Sequence, residues 1–228
     1  MNSPSVAIVV PVFNERSLID DLIVCLQDVG ADEIVFVDGG SSDGTQEILH
    51  ASGMQWQQAK PCRALQMNAG AAQCVSDVLL FLHADTSVYS CHISAVKKAM
   101  RDGESVAGRF DVSLTGTHPM FRVIERMINL RSRLSRISTG DQVMFVRRRI
   151  FEQIDGFPEQ ELMEDVEISK RLKRLGQIAC LRQEVETSSR RWEETGIFRT
   201  ILLMWQLRFR YWLGADPADL KRLYRDST

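Results

Sequence analysis

No long uninterrupted apolar run occurs in the 228-residue chain. Its most hydrophobic late stretch, Ile197 to Leu213, is broken by Arg199, Gln206, Arg208 and Arg210. A spanning helix needs about 20 predominantly apolar residues with few charges, so an amphipathic helix is expected there. Before Val6 there is no charged segment followed by an apolar one, and nothing marks the chain for secretion. A basic excess is missing too. The 28 Lys and Arg face 30 Asp and Glu, for a net charge of -2, whereas nucleic-acid binders usually carry a clear surplus of positive charge. No nucleic-acid partner is expected. The five cysteines (Cys25, Cys62, Cys74, Cys91, Cys180) form no C-x-x-C pair and have no His at zinc-finger spacing. Reduced thiols of a cytoplasmic protein are the expectation. Internal repeats and low-complexity segments are likewise absent.

What is present suits one sizeable buried core, with 44% hydrophobic and 25% charged residues. Val6 to Phe13 is rich in β-branched residues and reads as a strand. A polar turn and a helix follow, with apolar Leu18, Leu22, Cys25 and Leu26 at helical spacing and Asp20 and Asp21 in the first turn. Glu33 to Asp38 is a second strand, before a helix over 46–51. Met54 to Ala59 is a weaker strand, Arg63 to Val75 a helix, and Val78 to Thr86 an apolar strand closing on His83 and Asp85. This βαβ alternation predicts a parallel sheet. In such sheets ligands bind outside the carboxyl ends of the strands, so Asp85 stands where a nucleotide or a metal could meet it.

The later chain is less regular. A helix over 90–101 and a strand over 106–114 precede a basic amphipathic helix over 118–136. Short elements follow, a strand over 143–146 and a helix over 151–154. Met163 to Leu175 is a clear helix ended by Gly176, and Ile178 to Leu181 returns to the sheet. Interspersed charges in 122–136 and 199–210 read more readily as solvated faces of packed helices. Trp205, Tyr211 and Trp212 keep a membrane-interface reading of the tail open.

Three sites carry chemistry. The Gly39 to Thr45 loop follows a strand and could admit an anion, but Thr45 stands where a Walker lysine belongs, and no G-x-G-x-x-G occurs. As a plain turn it would have Ser42 or Asp43 cap the next helix. Asp38 needs more explanation, because a carboxylate ending an apolar strand could accept from a base N–H or a ribose hydroxyl. Glu164 and Asp165 open a helix, where acids complement the dipole or where one serves as a general base.

Taken in order, Val10-Pro11-Val12-Phe13-Asn14-Glu15, Val37 to Thr45, Phe81-Leu82-His83-Ala84-Asp85 and Glu164-Asp165 resemble family 2 glycosyltransferases with the GT-A fold. With Gly108-Arg109-Phe110, Gly140-Asp141-Gln142 and 188–192, the chain is similar to a compact bacterial branch. That branch carries the label of radical-SAM or arsenosugar biosynthesis gene neighbourhoods, which names no substrate. The resemblance implies a single α/β GT-A domain over 1–228, with a mixed, mostly parallel sheet flanked by helices. Residues 1–114 would form its nucleotide half, 115–192 its acceptor and catalytic half, and 193–228 a tail of amphipathic helices.

The same resemblance implies that Pro11, Phe13 and Glu15 frame the nucleotide, Asp38 contacts base or ribose, and Arg63 faces base or phosphates. Asp85 matches the last acid of the D-x-D metal motif and Asp165 the catalytic base, beside Glu164. Arg109, Asp141, Gln142, Arg191 and Trp192 are candidates for donor-sugar or acceptor contacts. His83 replaces the first acid of D-x-D; imidazole suits Mn²⁺ better than Mg²⁺, but a hydrogen-bonding role is the commoner one. Ser188 stands where processive members have glutamine, which speaks against polymer synthesis.

The expected activity is therefore inverting transfer from a nucleotide-sugar, a UDP-sugar first, to the hydroxyl of a small or lipid-linked acceptor, assisted by Mn²⁺ or Mg²⁺. The expected location is cytoplasmic, with peripheral contact at the inner membrane face as an option. Two rivals stand beside it. A sugar-nucleotidyltransferase would start with a glycine-rich basic segment, which residues 11–15 lack. A catalytically idle membrane or partner-binding protein would fit the His83 replacement and the amphipathic tail.

Overall fold

The computed structural model describes residues 3–226. Strand β1 (Val6–Val12) is buried almost throughout and lies at the centre of a parallel block. Its neighbours are β2 (Glu33–Asp38), flanked by β3 (Gln55–Gln58), and on the other side β4 (Val78–Phe81). Beyond β4 come β7 (Phe145–Arg147), β6 (Ser105–Leu114), β8 (Gln177–Thr187) and β5 (Thr86–Ser87), giving the order 3-2-1-4-7-6-8-5. β7 runs against β4 and β6, and β5 against β8, while β6 and β8 are parallel.

Because side chains alternate across a strand, β1 feeds two cores. Val6, Ile8, Val10 and Val12 pack on one face with Ile19, Leu22, Ile23 and Leu26 of helix α1 (Arg16–Gln27). Ile93 and Val96 of α4 (Ser90–Ala99) join that face. Ala7 and Val9 pack on the other face with Ala64, Met67 and Ala71 of α3 (Arg63–Gln73). Phe151 of α6 (Arg148–Gln153) and Ile168 and Leu172 of α7 (Glu164–Leu175) complete it. The helix α2 (Thr45–Ser52) follows the β2 loop, where Asp43 rather than Ser42 accepts from the Thr45 N–H at 3.0 Å.

Several expectations shift. The buried stripe of α1 is centred on Ile19 and Ile23, rotated from the Leu18 and Cys25 register, and α1 begins early enough that Asp20 and Asp21 fall past its first turn. The 78–86 run is not one strand: β4 ends at Phe81, and Thr86 opens the separate strand β5. β8 extends six residues past Leu181; its exposed Arg182, Gln183 and Glu184 break the apolar pattern while β6 and β5 hold its backbone.

The largest departure is in α5 (Pro119–Ser135). Its buried residues are Phe121, Ile124, Glu125 and Ser132, whereas Val123, Met127, Leu130 and Leu134 are exposed. Two of its arginines are tied to the strands beneath. Arg122 donates to the Leu114 carbonyl at 2.8 Å, and Arg133 donates to the Cys180 carbonyl at 3.0 Å and pairs with Asp111. After α8 (Arg190–Thr195), helix α9 (Ile197–Trp212) repeats the pattern, turning Phe198, Leu202, Trp205, Phe209 and Trp212 outward. The outward faces of both helices are mainly apolar, with Arg126, Arg199 and Arg210 exposed among the apolar side chains. Tyr211 points inward, onto Glu167 and Lys170 of α7. Leu203 and Leu207 of α9 pack on Met163 and on Leu220 of α10 (Pro217–Asp226). No helix among the described residues is long and apolar enough to cross a membrane.

Candidate active site

The carboxyl ends of β1, β2 and β4 open into one crevice. Asn14, with a left-handed φ of 56°, stitches the first two loops: its N–H donates to Ser41 Oγ at 2.8 Å and its side-chain oxygen accepts from the Ser42 N–H at 2.9 Å. Gln66 of α3 ties the strand ends together by donating to the Val12 and Val37 carbonyls at 2.8 and 2.9 Å. Phe13 leaves half of its surface open beside Gly39, and Pro11 sits in β1 opposite Val37.

Asp38 does not reach out as expected. Its carboxylate is fully buried and accepts from the Gly40 and Ser41 N–H groups at 2.8 and 2.9 Å, from Gln46 at 2.6 Å and from the Ser41 hydroxyl. A carboxylate so occupied shapes the loop and has little left for a base or ribose.

On the far side, the 3₁₀ turn Gly140–Gln142 brings three carboxylates into one neighbourhood. The His83 ring packs against Gly140, where a Cβ would overlap it. Nδ1 of His83 is 3.9 Å from Asp141 Oδ1. Burial, then the Arg63 and Arg191 guanidiniums, hold the His83 pKa well below its ordinary value, so the imidazole is neutral. Asp165 Oδ2 accepts from the Gly140 N–H at 3.0 Å, and Oδ1 from Val166 N–H at 2.7 Å. Glu164 is buried and pairs with Arg63 at 3.5 Å. Burial raises the Glu164 pKa against the pull of Arg63. Burial opposes the charge on Arg63, yet Glu164, Asp165, Asp141 and Asp85 together raise its pKa.

Strain marks the same region. Val143 and Met163, which follow the turn and precede Glu164, have φ of 47° and 66°. For a β-branched residue this is a true outlier, and such residues cluster where a fold must hold a site in place.

Two cavities meet here. A polar one of about 170 Å³ is lined by Asp85, Asp141, Ser188, Arg190, Arg191 and Trp192. A larger one of about 440 Å³ runs between α5 and α9 and is mostly apolar. Asp141, Trp192 and Met204 line both. Asp85 is exposed at the first, its carbonyl accepting from the Ser188 N–H at 3.0 Å. Arg191 stacks over the Tyr224 ring of α10, 4.9 Å from its centroid.

Sequence reasoning misplaced two candidates. Arg109 is sealed beneath α5, paired with Asp111 and donating to the Phe110 and Asn129 carbonyls at 3.1 and 3.3 Å. Gln142 is equally buried and donates to Ser132 Oγ at 2.9 Å, anchoring the turn that presents Asp141. Both support the site from below. Gln66, Arg190, Arg131 and Met204 were missed. Arg190 adjoins the quoted Arg191-Trp192 pair, but no local signal distinguishes the others.

A divalent cation fits the donor chemistry. Among the described residues no group of three or more His, Cys, Asp or Glu is placed to hold a metal ion. Mg²⁺ and Mn²⁺ at phosphate sites, however, need only one or two carboxylates besides the substrate phosphates. Asp85 and Asp141 both line the polar cavity, and Asp85 acts after burial to raise the pKa of Glu15 and of Asp141. Asp85 is the exposed carboxylate at the centre of the crevice, while His83 is packed against Gly140 and faces Asp141.

Comparison with known proteins gives the context. No curated protein matches the chain in sequence. Among solved structures, Staphylococcus aureus TarS in complex with UDP-GlcNAc superposes with a TM-score of 0.66 at 18% identity, over 81% of this chain and 58% of that one. The chain thus spans less than two thirds of that neighbour. The mannosyltransferase PcManGT from Pyrobaculum calidifontis, in complex with GDP-Man and Mn²⁺, gives 0.69 at 18% identity over 100% and 70%. Glucosyl-3-phosphoglycerate synthase from Mycobacterium tuberculosis, with Mn²⁺, UDP and glucosyl-3-phosphoglycerate, gives 0.57 at 17% identity over 79% and 70%. The shared architecture is the α/β GT-A type, with a mostly parallel mixed sheet flanked by helices. The profile of glycosyl transferase family 2 matches residues 7–155, well over half of the sequence, and the chain belongs to that family.

Proposed function

We propose that the chain is an inverting, metal-assisted glycosyltransferase that moves a sugar from a nucleotide-sugar, a UDP-sugar first, to an acceptor hydroxyl. The observation that carries this reading is the junction at Asp141 and Trp192, where a polar cavity beside Asp85 opens into an apolar one. A charged donor and a less polar acceptor can meet there. The nucleotide-sugars held by TarS and the mannosyltransferase support the donor class, UDP in one and GDP in the other. In this reading residues 1–114 take the nucleotide, 115–192 present the catalytic and acceptor groups, and 193–228 wall the acceptor side.

Phe13 offers an open aromatic face to the base, and Glu15 flanks it. Arg190 and Arg191 face the diphosphate, and Asp85, with Asp141 near, would hold the cation. A bound Mn²⁺ or Mg²⁺ supplies Lewis-acid neutralisation of the departing diphosphate. Asp165 takes the proton of the acceptor hydroxyl; the oxygen attacks the anomeric carbon from the face opposite the diphosphate, whose bond to that carbon breaks. Arg63 and Glu164 hold Asp165 and its helix end in place. Asp141 is a second candidate for the base, because it lines both cavities.

The test compares Asp165→Asn with Asp141→Asn, using UDP- and GDP-sugars for transfer and calorimetry for nucleotide binding. Asp165→Asn is expected to lose roughly 10²-fold or more in transfer, with nucleotide affinity nearly unchanged. Normal transfer by that variant, with loss in Asp141→Asn, moves the base to Asp141.

A further inference from the structure

The cavity between α5 and α9 has an unusual lining. Ile124, Ile128, Ile201 and Met204 make apolar walls, and Trp192 closes the end shared with the polar cavity. Into this apolar space project Arg131 and Arg208. Nη1 of Arg131 donates to the Ile137 carbonyl at 3.3 Å, but its Nε and Nη2 are buried with no hydrogen-bond partner among the described residues. Buried guanidinium donors left unmet are costly. Burial and then Arg208 push the Arg131 pKa down to about 10, with Asp165 and Asp141 pulling the other way, so the guanidinium lies within electrostatic reach of the reacting end. It stays charged at neutral pH and lacks an anion.

The other end of the groove opens outward. Met127 and Trp205 belong both to its wall and to the exposed surface, at 50% and 64% exposure. Leu130 and Leu134 continue the apolar face along α5, and Leu202, Phe209 and Trp212 along α9. Arg126, Arg199 and Arg210 are exposed on the same two helices. Aromatic and aliphatic side chains interleaved with arginine on an outward helix face suit an anionic lipid interface.

We propose that this groove binds the acceptor, an amphiphile with an apolar chain and one anionic head group drawn from a lipid surface, the head group attracted by the positive charge of Arg131 and Arg208, which both line the groove. The assignment of this ligand as the acceptor rests on the glycosyltransferase reading above. The chain lies along the isoleucines and leaves past Trp205. The lipid interface delivers it to the mouth of the groove.

Octyl phosphate, octanol and inorganic phosphate serve as probes, followed by tryptophan fluorescence because Trp192 and Trp205 line the groove. Octyl phosphate is expected to bind roughly tenfold or more tighter than octanol, the range of a charge-assisted hydrogen bond, and phosphate alone more weakly than either. Arg131→Met should abolish the preference for the phosphate; its melting temperature checks the fold. Met204→Trp, which fills the groove, should weaken both amphiphiles and tests the site should Arg131→Met not fold. Equal binding of octanol and octyl phosphate, or no effect of either folded variant, overturns the proposal. Sedimentation with phosphatidylcholine vesicles, with and without phosphatidic acid, tests the source. The protein is expected on the acidic vesicles; octyl phosphate binding by a protein that ignores both vesicle types overturns the lipid origin. UDP and GDP binding with Mn²⁺ is measured in parallel. Its failure with intact octyl phosphate binding overturns the enzyme reading while supporting the ligand class of the groove.

Discussion

Gly140 and His83 share one small volume, and this pairing organises the centre of the site. The ring needs a residue without a side chain beside it, and the Gly140 N–H in turn holds Asp165. Gly140→Ala should destabilise the protein by about 1–3 kcal/mol, the cost of overpacking, read as a lower urea midpoint. The double variant with His83→Ala should recover part of that loss, since contacting residues are not additive. Cys74 gives a second prediction. Its buried thiol donates to the Gly70 carbonyl at 3.3 Å, and burial followed by Glu33 pushes its pKa up from 9.0 to about 12. The folded state therefore holds this proton more tightly than the unfolded chain. The resulting stability is complete below pH 9.0 and drains away as the pH rises toward about 12. At neutral pH a disulfide reagent should modify exposed Cys91 first and Cys74 only on unfolding.

Among the elements, α3 illustrates how packing overrides propensity. Gly70 lies in the middle of that helix, where alanine would be favoured by about 1 kcal/mol. A Cβ there would fall 2.5 Å from Val9 Cγ1 and 2.8 Å from Val37 Cγ2, because the helix rests directly on β1 and β2. Those valines are in the core and cannot withdraw. Gly70→Ala should thus lower stability by about 1–2 kcal/mol despite the better helix former, measured by chemical denaturation. α5 and α9 show the converse: their apolar residues announce helices but not which side faces inward. Arginines at 122 and 133 find carbonyls on β6 and β8, and that leaves the leucines outside.

For the molecule as a unit, ligand binding should report the division of labour along the crevice. A nucleoside diphosphate at a hundred times its Kd stabilises by about 2.7 kcal/mol, which for a chain of this size raises Tm by roughly 5–10 °C. With Mn²⁺ or Mg²⁺ this shift is expected for UDP or GDP; with a chelator most of it should vanish. Asp85→Ala should mimic the chelator. A shift that survives both treatments removes Asp85 from the metal site. Because His83 is packed against Gly140, His83→Ala should change Mn²⁺ preference less than it changes stability.

Much of the first half was legible in residue order. Unbroken apolar runs closed by Asp38 and by His83 and Asp85 mark strands buried on both faces, and a parallel sheet sends such strand ends to one crevice. The ordered motifs from Pro11 to Asp165 carried the family. Local pattern could not tell that Asp38 spends its carboxylate on its own loop, or that Arg109 and Gln142 lie beneath the site instead of in it. The burial of Arg109 and Gln142 depends on which groups approach from distant segments, α5 above all, and a polar residue reads the same in sequence whether it meets a ligand, its own loop or a buried carbonyl. The groove and its unpaired arginine belong to this second kind. Arg131 is one basic residue among many along α5, and only the placement of α9 across from it turns a helix face into a binding site.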